Sequence, residues 1–111
     1  MGQMPAGRRD RRIRIERYAV TKSSSGAEVK TWAAVATVWA EKLDLSDGER
    51  VAAAEVSAEI TTRFRILYSS TVASVNAKDR IVLGDFTYDI LGVKEIGTRE
   101  GLEITAAARA D

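Results

Sequence analysis

Two alternating runs face each other across Gly84-Asp85, and no other stretch limits the fold of this chain so strongly. Glycine at the first central position suits a type II′ turn, whose twist matches that of paired strands. A two-residue loop also sets the register: Leu83 opposite Phe86, Ile81 opposite Tyr88, Arg80 opposite Asp89. The first two pairs share a face and are expected to line a core. The third is expected as an ion pair on the other face. Residues 79–91 therefore read as a β-hairpin.

The period of two recurs along the chain. Over residues 12–18, Ile13 and Ile15 alternate with arginines, as in a half-buried strand. Residues 21–26 are a polar turn or loop. Residues 35–43 carry Val35, Val38 and Trp39 and read as a second strand, because β-branched and aromatic side chains suit a pleated surface. Trp39 lies inside that alternation and is expected in the core, whereas Trp32 is expected at an interface. Residues 60–68 place Ile60, Thr62, Phe64, Ile66 and Tyr68 on one face, with Arg63 and Arg65 on the other. Residues 69–78 read as a polar loop. Gly92 to Ile96 continues as strand or bulge, residues 97–101 turn, and residues 102–106 form the last strand. Ser46-Asp47-Gly48-Glu49 fits a capping box, which predicts a short helix over 47–56. The sum is a mainly β fold: a small antiparallel β-barrel of about six strands, with one short α-helix and long loops.

The 111 residues make one domain, since the apolar share of 45% includes 17 alanines and leaves enough large side chains for one small core. No apolar run approaches the ~20 residues of a membrane span, and arginines stand where a secretory leader would carry its apolar stretch. No membrane association is expected. Cysteine and histidine are absent. That removes thiolate nucleophiles, disulfides, sulfur-based zinc sites and the commonest general base. The acidic residues have local explanations: turn and cap chemistry for Asp47, Glu49 and Asp85, and pairing with Arg80 for Asp89. Spacing over residues 44–49 is not that of an EF-hand loop, and no Walker-type glycine loop is present. No enzyme, metal or cofactor is expected.

Charge is split along the chain. The first 17 residues hold six arginines against Asp10 and Glu16, whereas residues 18–111 hold 11 basic and 14 acidic residues. Residues 1–10 read as an extended basic arm and residues 11–111 as the barrel domain. Arg8, Arg9, Arg11 and Arg12 are candidates for pairing with an acidic protein surface. A protein partner is preferred to DNA because no aromatics interleave with the arginines as in single-strand binders. Arg63 and Arg65 are candidates for salt bridges between subunits, and Glu49 and Arg50 for contact through the predicted helix.

In order and spacing these elements resemble the head–tail joining proteins of tailed bacteriophages, the head-completion or stopper proteins, and their relatives in gene transfer agents. The resemblance covers nearly the whole chain. It begins with the basic strand from Arg11 to Arg17 and the polar turn Ser25-Gly26. Thr31-Trp32 then leads into Val35-Ala36-Thr37-Val38-Trp39-Ala40. Gly48-Glu49-Arg50 opens the short helical stretch, and the strand from Ala58 to Ile66 follows. Arg80-Ile81, Gly84, Tyr88, Ile90, Gly92 and Val93 match the hairpin pattern, and Leu102 to Ile104 closes it. The arm before Arg11 is longer than in many relatives. The resemblance implies a structural protein of the particle neck, assembled in the bacterial cytoplasm into a ring of six or twelve copies. Such a ring closes the DNA-filled head below portal and adaptor and docks the tail terminator or tail tube protein, close to packaged double-stranded DNA. Two other readings stay open: a small nucleic-acid-binding barrel using the arginines, and a tail terminator or minor capsid component.

Overall fold

A computed structural model describes residues 9–45 and 61–109. Six strands follow in chain order: β1 (Arg11–Lys22), β2 (Glu28–Asp44), β3 (Thr62–Leu67), β4 (Arg80–Leu83), β5 (Phe86–Ile96) and β6 (Gly101–Ala108). Every pairing is antiparallel, and the order β1-β2-β3-β6-β5-β4 closes on itself because β4 pairs back onto β1. Closure satisfies backbone donors and acceptors that an open sheet would leave along its edges. The mainly β reading holds. The helix predicted over 47–56 lies outside the described residues.

The interior is filled by the alternation the sequence shows. Ile13 and Ile15 of β1, Phe64 and Ile66 of β3, Ile81 of β4 and Ile104 of β6 are fully buried. Phe64 meets Tyr88 edge-on, with ring centroids 5.1 Å apart, the arrangement the ring quadrupoles prefer. The loop after β3 contributes too. Read as polar, it nevertheless buries Val72 and Val75, and its turns are closed by hydrogen bonds from the Val72 amide to Ser69 and from the Val75 amide to Val72. Two bulges bend the wall. One falls between Ile15 and Glu16, where Val35 is the unpaired residue of β2, and the other at Leu91 of β5. The second meets the strand-or-bulge expectation for that stretch.

The hairpin register is as expected: Leu83 pairs with Phe86, Ile81 with Tyr88 and Arg80 with Asp89. Gly84 has φ 60°, the value a type II′ turn requires at its first central position. Two details differ. Phe86 is 65% exposed, because it lies next to the turn, beyond the reach of the opposite wall. Arg80 and Asp89 face each other in register but choose other partners: Arg80 donates to Glu16 and Asp89 accepts from Arg109. Trp39 is the third correction, at 51% exposed. Period two puts Val38 and the fully buried Ala40 toward the core and turns Trp39 outward, opposite Arg12. A six-stranded ring is narrow, and a small residue fits its interior at this point.

β1 and β2 are much longer than the expected strands. β1 pairs with β4 only over residues 14–16, and β2 with β3 only over residues 40–44. Beyond those limits the two strands pair with each other alone, as far as Lys22 opposite Glu28. A two-stranded ribbon therefore overhangs the closed ring. Its turn is held by hydrogen bonds between Ser23 and Ala27 and from the Gly26 amide to Ser23, with Gly26 at φ 87°.

Candidate interaction surface

The root of the ribbon is locked by charge. Arg17 donates two hydrogen bonds of 2.9 Å to the Asp79 carboxylate, one to each oxygen, and reaches the Ser74 carbonyl at 3.1 Å. The Asp79 side chain is fully buried and also accepts from the Asn76 amide at 3.1 Å. This bidentate pair ties β1 to the loop ahead of β4. At the adjoining bulge, Glu16 accepts from Arg80 at 2.7 Å and from Arg14 at 2.6 Å. Burial alone would raise the Glu16 carboxyl, but the hydrogen bonds from Arg80 and Arg14 outweigh it and hold it below the ordinary carboxylate value.

Above this root the aromatic and cationic side chains stack. Trp32 is half-buried and meets Tyr18 edge-on at 5.2 Å. The Arg80 guanidinium lies 3.9 Å from the Trp32 ring centroid and that of Arg109 lies 5.9 Å from it, while the Lys30 ammonium lies 4.4 Å from the Tyr18 ring. Trp32, expected at an interface, thus already has partners on both sides within its own chain. Each such contact contributes about 0.5–1 kcal/mol where exposed, so the cluster braces the ribbon where it leaves the ring.

Arg63 and Arg65 project from β3 into a cross-strand ladder. The Arg65 Nε donates to Glu103 at 2.9 Å, its guanidinium lies 3.8 Å from Glu41, and Arg63 lies 4.0 Å from Glu103. Register explains the ladder, since Arg65 stands between Glu41 on β2 and Glu103 on β6. Their charge is spent within the wall. Arg8, Glu49 and Arg50 lie outside the described residues.

The remaining arginines border a different surface. Arg9 and Arg12, with Val38, Trp39, Leu67 and Tyr68, line an open groove of about 400 Å³ on the wall formed by β1, β2 and β3. The Arg12 guanidinium lies 5.1 Å from the Trp39 ring centroid, and Leu67 is 50% exposed beside it. Arg11 is exposed and lies 3.8 Å from Asp10. Trp39, Leu67 and Tyr68 were not among the sequence candidates. The signal that finds them is parity: with Val38 and Ala40 turned inward, Trp39 must face the side on which Arg12 stands. The groove joins Trp39, Tyr68, Arg9 and Arg12, the residue types that carry most of the binding energy at protein interfaces.

The family model described as phage head completion protein matches residues 4–109. Among solved structures, the chain is similar to protein SF1141 from Shigella flexneri 2a, determined in solution, with a TM-score of 0.76 and 27% sequence identity over 97% of this chain and 99% of that one. It is also similar to a chain in the virion of a native gene transfer agent particle, with a TM-score of 0.54 and 18% identity over 87% of this chain and 91% of that one. At that identity the second likeness concerns the fold. No curated protein sequence matches the chain.

Proposed function

The chain belongs to the phage head completion protein family, and from that membership we propose that it acts as the stopper ring of the neck. Its role is structural, in a phage or phage-like particle, among other head and tail components. The finer reading is that several copies form a closed ring below portal and adaptor, retain the packaged DNA and present the docking surface for the tail.

The observation that carries this reading is the overhang of β1 and β2. Two-stranded hairpins are marginal in water on their own, and both edges of this ribbon lack strand neighbours among the described residues. One face presents Ala19, Thr21, Val29, Thr31 and Ala33, all exposed and uncharged. Burying such a surface on a coaxial ring or a neighbouring subunit removes it from water and stabilises the ribbon at the same time. Lys22, Glu28 and Lys30 stand on the opposite face, so this face can be buried without stranding their charges.

The test is complementation. Particles made without the chain should hold filled heads that leak DNA and take no tails, and purified chain should restore both DNA retention and joining. A variant in which residues 21–29 are replaced by a two-residue Asn-Gly turn, which keeps Val20 opposite Lys30, should keep the ring of strands but fail to restore joining. Tailed, DNA-retaining particles in the complete absence of the chain would refute the reading. Full restoration by the shortened chain would remove the ribbon from it.

A further inference from the structure

The ribbon leaves two strand edges open, and they complement each other. On the β1 side, Arg17 is tied to the loop ahead of β4 through Asp79 and Ser74. From Ala19 to Lys22 no strand lies along that edge among the described residues. On the β2 side, β3 pairs only from Ala40 onward, so the edge from Glu28 to Thr31 is open as well. Open edges carry unpaired amides and carbonyls, which proline or a bulge would protect. Neither stretch contains proline, and the bulge at Val35 lies nearer the body. The charges here have both signs: Lys22 on one edge, Glu28 and Lys30 on the other, all exposed.

We propose that the ribbons of adjacent copies join edge to edge, β1 of one against β2 of the next, with Lys22 opposite the neighbour's Glu28. The proposal rests on the ring reading above and names the contact between copies. Its occupant is a second copy of this chain. β1 and β2 run in opposite directions, so each added ribbon continues one antiparallel sheet, held by main-chain hydrogen bonds. The register follows from parity and charge. Within a ribbon Lys22 pairs with Glu28, Thr21 with Val29 and Val20 with Lys30. Facing residues of an antiparallel pair direct their backbone groups either at each other or both away. Repeating the same register between copies therefore brings open groups together and keeps every side chain on its own face. Each Lys22 then stands between two Glu28 carboxylates, its own and the neighbour's. A slip of two residues one way puts Lys22 opposite Lys30, a like-charge pair, and a slip the other way leaves Glu28 opposite Val20. On the other face Ala19, Thr21, Val29 and Thr31 of all copies form one uncharged belt. The two edges differ, so the contact is head-to-tail and generates a ring when its rotation closes. Strand spacing gives each copy ~10 Å of joined sheet, whereas the shortest dimension of the chain is 24 Å. The ribbons therefore converge toward the ring axis, with the closed bodies outside them.

The chain contains no cysteine, so introduced thiols report without background. Lys22→Cys chains and Glu28→Cys chains are loaded together onto tailless heads and oxidised. Facing residues of an antiparallel pair lie close enough for a disulfide. The mixture should give a disulfide-linked dimer. Either variant alone should give none, because like positions stand two strands apart, ~10 Å. Thr21→Cys mixed with Val29→Cys should behave the same way, which guards against poor disulfide geometry at one pair. Lys22→Cys mixed with Lys30→Cys, out of register, should give about tenfold less product. Lys22→Glu or Glu28→Lys alone should lower loading onto heads about tenfold. An equimolar mixture of the two should restore it, since alternating copies again set lysine against glutamate. These positions are exposed, and circular dichroism checks that each variant keeps the fold.

Cross-links between like positions, an out-of-register pair that reacts as well as the facing one, or no cross-links in heads that show a ring would each overturn this contact. The edges would then belong to another occupant and the ring would stand. A charge mixture that loads no better than either variant alone would also contradict it. A solitary copy in the particle would overturn the ring reading itself.

Discussion

Within the ring, β1 has β4 on one side and β2 on the other; past Arg17 the same strand has β2 alone. The two halves of one strand pair therefore live by different rules. Inside, Ile13 and Ile15 alternate with polar residues because one face is buried and the other wet. Outside, Val20 and Val29 are exposed, and period two no longer sorts apolar from polar, since neither face meets a core. The closed part is held by its own packing. The overhang keeps its shape through a salt bridge and an aromatic stack at its root, and most of its residues are exposed.

If that division is right, substitutions in the interior should be expensive and those outside nearly free. The largest effect is expected at Phe64, which is fully buried against Tyr88. Phe64→Ala should cost about 3–5 kcal/mol in urea-induced unfolding. A cost below about 1 kcal/mol would mean that the interior is not packed as described. Next comes the root of the ribbon. Arg17→Ala strands the buried Asp79 carboxylate and should cost about 3 kcal/mol, the lower end for breaking such a pair, because Arg17 itself remains partly in water. Adding Asp79→Asn to Arg17→Ala should recover part of the loss, and no recovery would break the assignment.

A smaller effect sharpens the same boundary through pH. The Glu16 carboxyl titrates lower in the folded chain than in the unfolded one, so its contribution is fully present above the ordinary value of 4.5 and fades as pH falls through that value toward the lower, folded one. Urea midpoints measured against pH should show this loss, and Glu16→Gln should flatten that part of the profile. An unchanged profile in the variant would contradict the pairing with Arg80 and Arg14. The smallest effects belong outside: Phe86→Ala and Val29→Thr should each stay within about 0.5 kcal/mol of the parent chain. Substantial unfolding by either would place those side chains in the interior after all.

The interior was legible because burial on one face enforces alternation. Ile13, Ile15, Phe64, Ile66, Ile81 and Tyr88 could be assigned from spacing alone, and Gly84-Asp85 set the register of β4 and β5. Legibility failed where both faces carried apolar side chains. Around Val38-Trp39-Ala40 the alternation does not say which face is inward, and size misleads, because the narrow ring takes Ala40 and rejects Trp39. It failed again over the overhang, whose pairing depends on β1 lying alongside and not on any core. The interaction surface was legible in part. Arg9 and Arg12 stand out by charge, but Trp39, Leu67 and Tyr68 join them only once strand parity is known. Arg63 and Arg65 stand out equally, yet their charge is met by Glu41 and Glu103, which the sequence keeps far away.

The central claim is that this chain is a joint whose copies close into a ring between head and tail. Electron cryomicroscopy of particles assembled with the chain, compared with particles assembled without it, tests that claim most directly. The account predicts a closed ring of this six-stranded subunit, coaxial with the portal, present only when the chain is supplied. Density for separate copies scattered over the capsid shell, or an unchanged neck in its absence, would contradict it.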